Sequence, residues 1–168
     1  MTRREWLFSA AGLTALGGGL LVFGRPRPAT ATSNDEDFEF TLSEAEWREK
    51  LSTAQYRVLR EEDTERPFSS PLNKEKRAGV FHCAGCGLAL YSSEAKYDSG
   101  TGWPSFYQSL PDAIGTKEDR SLFSLRTEVH CRRCGGHLGH VFDDGPPPTG
   151  KRHCLNGLAL TFTPEFGT

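Results

Sequence analysis

Hydrophobic and polar positions change their period along this chain, and the changes mark its parts. No charged residue interrupts Trp6 to Gly24. Ser43-Glu44-Ala45-Glu46 then fits a capping box, in which each end satisfies an orphan backbone donor. Ser52-Thr53-Ala54-Gln55 fits a second, leading into Tyr56, Val58 and Leu59, so two short helices are predicted. Pro67 and Pro71 bracket a loop. Beyond Gly79 the helical period disappears. Val80-Phe81-His82, Leu88-Ala89-Leu90-Tyr91, Ser121-Leu122-Phe123-Ser124-Leu125 and Leu155 to Thr163 are short segments between Gly and Pro clusters. That pattern predicts a mostly antiparallel β domain with irregular loops. Pro146-Pro147-Pro148 marks a stiff extended turn before the last strand. Long apolar runs are few, so the core needs a staple.

The uncharged run is expected to be an export signal, not part of the fold. Thr2-Arg3-Arg4-Glu5-Trp6-Leu7 resembles a twin-arginine motif, and Ala29-Thr30-Ala31 reads as a small-residue cleavage site. The alternative is a membrane anchor, since the run approaches the span of a bilayer. Its glycines, Gly17-Gly18-Gly19 among them, oppose a stable helix. Residues 1–31 are assigned to the signal, the polar, acidic stretch 32–41 to a solvated linker, and 42–166 to the domain. Either fate of the signal leaves the domain exported, periplasmic in a bacterium, and touching the membrane only through that segment.

The formal net charge of −2 includes Arg3, Arg4, Arg25, Arg27 and Glu5, so the part beyond residue 31 stands at −5. That balance argues against a nucleic-acid or anionic-membrane surface.

Five cysteines divide into four and one. Cys83-x-x-Cys86 and Cys131-x-x-Cys134 form two knuckles, each followed by a glycine (Gly87, Gly135) that lets the backbone turn. Four thiolates suit a closed structural zinc site with no open position for substrate. Two disulfides are the alternative in an oxidising compartment, although paired Cys-x-x-Cys spacing is the zinc pattern. Twin-arginine export carries folded proteins, so zinc could be loaded before the thiols meet oxidant.

Cys154 is left over. In Arg152-His153-Cys154-Leu155-Asn156, an extended strand would turn Arg152, Cys154 and Asn156 to one face. A guanidinium beside a thiol favours the thiolate nucleophile; the alternative is a buried structural cysteine. His137 and His140 follow the second knuckle. With four cysteines sufficient for zinc, an acid or hydrogen-bonding role fits them better than ligation. Trp103 and Phe106 lie among glycines and a proline, as core aromatics or as a pocket wall for a small methyl group.

Ser99-Gly100-x-Gly102-Trp103-Pro104-Ser105-Phe106, His137-Leu138-Gly139-His140-Val141-Phe142, Gly145-Pro146 and Arg152-x-Cys154-x-Asn156 resemble the signature of methionine-R-sulfoxide reductases. So do the knuckles, Gln55-Tyr56 and Thr64-Glu65-x-Pro67-Phe68. The likeness runs in order from Leu42 to Phe162. Methionine sulfoxide reductases come in two types, one per sulfoxide epimer. The resemblance implies a mainly β fold of two antiparallel sheets with short N-terminal helices, stapled by zinc on the two knuckles. By position it implies Cys154 as the catalytic cysteine, with Arg152, Asn156, His137, His140 and Trp103 in the active-site shell. Trp103 and Phe142 would hold the substrate's methyl group, and Cys83, Cys86, Cys131 and Cys134 would bind zinc. Many members carry a resolving cysteine where this chain has Thr101, so the usual internal disulfide step is in doubt.

The expected activity is thiol-dependent reduction of methionine-R-sulfoxide, free or in oxidised proteins, through a Cys154 sulfenic acid that a thioredoxin-like thiol reduces. Two rivals are a zinc-ribbon-like protein-binding module, in which Cys154 is unreactive, and a thiol peroxidase. A methyl-sized aromatic wall argues against the peroxidase.

Overall fold

The computed structural model describes residues 38–120 and 125–165. The expected signal and most of the segment Ser121 to Leu125 lie outside the described residues.

Both predicted helices are present with both capping boxes. In α1 (Glu44–Lys50) the Ser43 N–H donates to Glu46 Oε2 at 2.8 Å, and the Glu46 N–H to Ser43 Oγ at 3.4 Å. In α2 (Thr53–Glu61) Ser52 and Gln55 exchange the same pair of bonds at 3.2 and 3.3 Å. Such a cap stabilises a helix end by about 1 kcal/mol. α1 buries Trp47, and α2 buries Tyr56, Val58 and Leu59.

Two antiparallel sheets follow. The three-stranded sheet has the order β2 (Ala89–Ser92), β1 (Gly79–Cys83), β9 (Leu160–Pro164). The six-stranded sheet runs β3 (Lys96–Tyr97), β4 (Ser105–Phe106), β8 (Arg152–Leu155), β7 (His137–Phe142), β6 (Arg126–Cys131), β5 (Ile114–Asp119). Aromatic rings join them: Phe81 of β1 meets Phe106 of β4 edge-on with centroids 5.0 Å apart, and Tyr91 of β2 meets Phe106 at 4.6 Å. Phe81, Leu90, Tyr91, Phe106, Val129, Leu138 and Leu155 are fully buried around this junction.

Two features differ from the sequence reading. The run from Leu155 to Thr163 is not one strand. A turn of 3-10 helix at Gly157–Ala159 breaks it, so β8 and β9 belong to different sheets. The acidic stretch also docks before residue 42. The Phe40 N–H donates to Arg133 O at 2.9 Å, its ring meets Trp47 at 5.7 Å, and Phe38 meets His130 at 5.9 Å. Burial of two aromatic rings outweighs the acidic neighbours there.

Candidate active site

Strand register assembles the site. In antiparallel pairs, residues directly opposite lie on the same face. One such row crosses all six strands: Tyr97, Ser105, Cys154, His140, Glu128, Lys117. A second row beside it pairs Arg152 with Phe142 across β8–β7, and Asp119 with Arg126 across β5–β6. Close packing of β7 on β8 requires glycine at 139, where an added Cβ would stand 2.1 Å from the Cys154 carbonyl oxygen.

Cys154 opens onto a cavity of about 140 Å³ walled by Trp103, His140, Phe142, Arg126 and Asn156. The Trp103 indole is fixed by a bond from Nε1 to Glu65 O at 3.1 Å. Arg152 does not act on the thiol alone. It donates from Nε and Nη2 to both Asp144 carboxylate oxygens at 2.8 and 2.9 Å, and its guanidinium lies 4.5 Å from the Phe142 ring centre. Burial pushes the Cys154 thiol above its ordinary range, and the Thr101 hydroxyl and Arg152 pull it only part of the way back. Arg152 thus draws the thiol toward ionisation, as its place beside Cys154 leads one to expect, but desolvation outweighs it.

His140 Nε2 lies 2.7 Å from Asp119 Oδ2, and Asp119 also meets Arg126 Nη2 at 2.5 Å. Burial holds His140 below its ordinary value, with Asp119 opposing. The neutral ring therefore carries its proton on Nε2, facing the carboxylate, and keeps Nδ1 as an acceptor. His137 is buried, with Nδ1 2.8 Å from Glu128 Oε1 and, among the described residues, no hydrogen-bond partner at Nε2. Burial raises the Glu128 carboxyl, but His137 and Lys117 together outweigh it and hold the group low. Asn156 lies past the end of β8 and does not share the Arg152–Cys154 face as a strand residue. Its Oδ1 accepts from the Glu65 N–H at 3.0 Å, and its Nδ2 donates to Leu138 O at 3.2 Å.

Sequence reasoning passed over Asp119, Glu128 and Asp144, and gave Glu65 a place in a motif but no role. The Glu65 carboxylate accepts from the N–H groups of Gly157 and Leu158, so it ties the loop behind Trp103 to the turn after Cys154. Asp119 and Lys117 sit on a polar edge strand with no apolar alternation, and their partners are set by pairing across β6. Glu65 stood inside a quoted motif, and Asp144 stood two residues past Phe142, the end of another.

The four remaining cysteines come together. Cys83 and Cys86 form the turn between β1 and β2, and Cys131 and Cys134 the turn between β6 and β7. One knuckle thus comes from each sheet. All four sulfurs lie within 4.8 Å of one another, with Cys83–Cys134 at 3.7 Å and Cys86–Cys131 at 3.5 Å. Sulfurs about 2.3 Å from a shared metal at tetrahedral angles stand about 3.8 Å apart, whereas a disulfide needs about 2.05 Å. The donor set fits a metal ion and not two disulfides. Gly87 and Gly135 close the knuckles at φ 76° and 68°, each donating its N–H to the first cysteine's carbonyl at 2.8 Å.

Sheet, pocket and sulfur cluster together fit the class of thiol oxidoreductases that carry four cysteines at metal-binding distance. Comparison with known proteins gives the family. The SelR domain matches residues 51–164. A peptide methionine sulfoxide reductase MsrB of Methanosarcina barkeri is 56% identical over 124 residues, covering 73% of this chain and 87% of the relative. The protein of the same name from Bradyrhizobium diazoefficiens is 50% identical over 141 residues, covering 83% and 99%. The chain belongs to the methionine-R-sulfoxide reductase (MsrB) family.

Proposed function

We propose that this protein reduces methionine-R-sulfoxide, with Cys154 as nucleophile. The observation that carries the reading is a half-buried thiol at the wall of a 140 Å³ cavity flanked by two aromatic rings, Trp103 and Phe142. That space suits a sulfoxide with its methyl group, and a peroxide has no need of it. The Cys154 sulfur attacks the sulfoxide sulfur. The thiol proton passes to the sulfoxide oxygen, and that oxygen ends on Cys154 as a sulfenic acid while methionine leaves. Methionine sulfur is reduced by two electrons and the cysteine sulfur oxidised by two. Asp119 fixes the His140 ring, whose free Nδ1 would accept from a water that in turn donates to the sulfoxide oxygen. Arg152, held by Asp144, places positive charge beside the reacting sulfur. A thioredoxin-like thiol returns Cys154 to the reduced state.

Cys83, Cys86, Cys131 and Cys134 would hold zinc, which supplies folding free energy and no step of the reaction. We also propose export by the twin-arginine route, on the strength of Arg3-Arg4, the uncharged run and Ala29-Thr30-Ala31. The activity test offers R- and S-methionine sulfoxide with dithiothreitol and follows methionine. Methionine from the R form only, lost in Cys154→Ser with the fold retained, is expected. Equal turnover of both epimers, or an active Cys154→Ser, would refute the reading.

A further inference from the structure

Cys154 begins a chain of hydroxyls. Its Sγ lies 3.9 Å from Thr101 Oγ1, which lies 2.8 Å from Ser99 Oγ, which lies 2.7 Å from Ser105 Oγ. The buried Ser105 hydroxyl then meets Trp103 O at 3.1 Å. Ser105 stands directly opposite Cys154 in the β4–β8 register, so the chain leaves the sulfur and folds back beneath it.

Each hydroxyl has one proton, and that fixes what the chain can do. Four links run from sulfur to carbonyl. With Cys154 as a thiol, four protons are present and every link is made, but only in one direction. The S–H donates to Thr101, Thr101 to Ser99, Ser99 to Ser105, and Ser105 to the Trp103 carbonyl. In that direction Thr101 accepts from the sulfur and stabilises the thiol. Once Cys154 has lost its proton, three protons serve four links. The thiolate attracts a donor most strongly, so Thr101, Ser99 and Ser105 turn round and the link to Trp103 O opens. A carbonyl cannot take the proton, so the chain reverses its polarity and does not carry the proton away. The proton leaves through the cavity, to the sulfoxide oxygen.

We infer that the Thr101–Ser99–Ser105 chain is a reversible polarity switch for Cys154, with Thr101 as a catalytic residue that donates to the thiolate and Ser99 and Ser105 as positioning residues that set its direction. The nucleophile is thereby stored as a thiol and ionises at the cost of one distant neutral hydrogen bond. Thr101 also counts among the influences drawing the buried thiol downward. Arg152 on the same strand, Asp144, His140 on β7, Tyr97 on β3 and Arg126 also face this sulfur, and the variants below leave all five in place.

The inference rests on Cys154 as the nucleophile, but its test needs no substrate. The test is the rate of iodoacetamide alkylation at Cys154 against pH, read by mass on the Cys154 peptide of full-length, metal-loaded protein. Thr101→Val removes the donor to the thiolate, and the midpoint should rise, with alkylation near neutral pH slowed about three- to tenfold. Thr101→Ser restores the hydroxyl and should return the profile toward the native one. Ser105→Ala removes the anchoring to the carbonyl, so ionisation no longer costs a link. The midpoint should fall, with alkylation about two- to fivefold faster below it. Ser99→Ala severs the chain nearer the sulfur, in a less buried place, and should also lower the midpoint. Loss of packing alone does not give opposite signs at Thr101 and at Ser99 or Ser105. Shifts of one sign at all three, or an unmoved midpoint in Thr101→Val, would overturn the switch. Because the readout is the thiol itself, these shifts without sulfoxide reduction would instead count against the reductase reading.

Discussion

Glu65 holds two walls of the cavity at once, and its removal has a calculable cost. Its carboxylate accepts from the Gly157 and Leu158 N–H groups, its own N–H donates to Asn156 Oδ1, and its carbonyl accepts from Trp103 Nε1. In Glu65→Ala the backbone bonds can persist, but two N–H groups lose their acceptor. An orphaned buried donor costs about 1–3 kcal/mol. Gly157 is buried and bears the larger share of that cost. Leu158 is half-buried, and both residues line an open groove of about 510 Å³, from which water replaces part of the lost bonding. Burial also raises the Glu65 carboxyl above its ordinary value, so its removal relieves a small desolvation penalty. The net loss is about 2–4 kcal/mol, a fall in Tm of roughly 10 °C for a domain of this size. The turn at Gly157–Ala159 then moves relative to Cys154 and Trp103, and a misplacement near 1 Å costs on the order of 100-fold in kcat/KM. Glu65→Gln keeps one acceptor oxygen and should fall between. Thermal melts and steady-state kinetics on the three proteins, all metal-loaded, make the measurement. A Glu65→Ala protein within about 0.5 kcal/mol of native stability, with unchanged kcat/KM, would refute this account of the clamp.

Four further outcomes are expected. Elemental analysis should find one zinc per chain, and Cys131→Ser should lower stability before it lowers chemistry; a metal-free native protein with two disulfides would end that reading. Glu128 has a lowered pKa in the folded state, so its stabilisation is present above the ordinary glutamate value of 4.5 and is lost as pH falls through the lower folded value. Denaturation midpoints from pH 7 to pH 3 should therefore drop less steeply in Glu128→Gln than in the native protein. One turnover with excess sulfoxide and no reductant should leave about one methionine per enzyme and a dimedone-reactive Cys154. Thr101→Cys should convert that end point to a disulfide, whereas a native disulfide to a knuckle cysteine would overturn the scheme. Arg3→Lys with Arg4→Lys should hold the protein in the cytoplasm, and normal export of that variant would remove the twin-arginine assignment.

Local signals were legible in the sequence and cross-strand ones were not. The capping boxes at Ser43 and Ser52 involve residues three apart, and the knuckles residues three apart with a glycine behind, so spacing alone exposes them. Cys154 and its aromatic and histidine neighbours were legible because they stand in compact, chemically unusual runs. β5 was not. Ile114–Asp119 is a polar edge strand with its middle exposed, and its apolar content carries no period. Asp119 and Lys117 went with it, since their roles arise from register against β6. The balance at Cys154 has the same origin: sequence shows the guanidinium two residues away that draws the thiol down, but neither the burial that outweighs it nor the Asp144 carboxylate that engages the cation. Asn156 continues the alternation on paper, yet its amide bonds to Glu65 and Leu138 carry it into the turn.

The row that places Ser105, Cys154, His140 and Glu128 side by side also sets the order of events when the chain acquires its activity. β6 and β7 form a hairpin whose turn is the second knuckle, a local closure that completes within microseconds. Cys154 joins it by pairing β8 to β7, but Ser105 and Trp103 arrive only when β4 closes on the far edge of β8, across the 48 residues of chain between Ser105 and Cys154. A slip of one residue at that late step would turn Ser105 to the face opposite Cys154. Reductase activity should therefore be the last property to return during refolding, lagging behind recovery of helix and of metal binding, and a partly folded chain would expose a thiol without the walls that select its substrate.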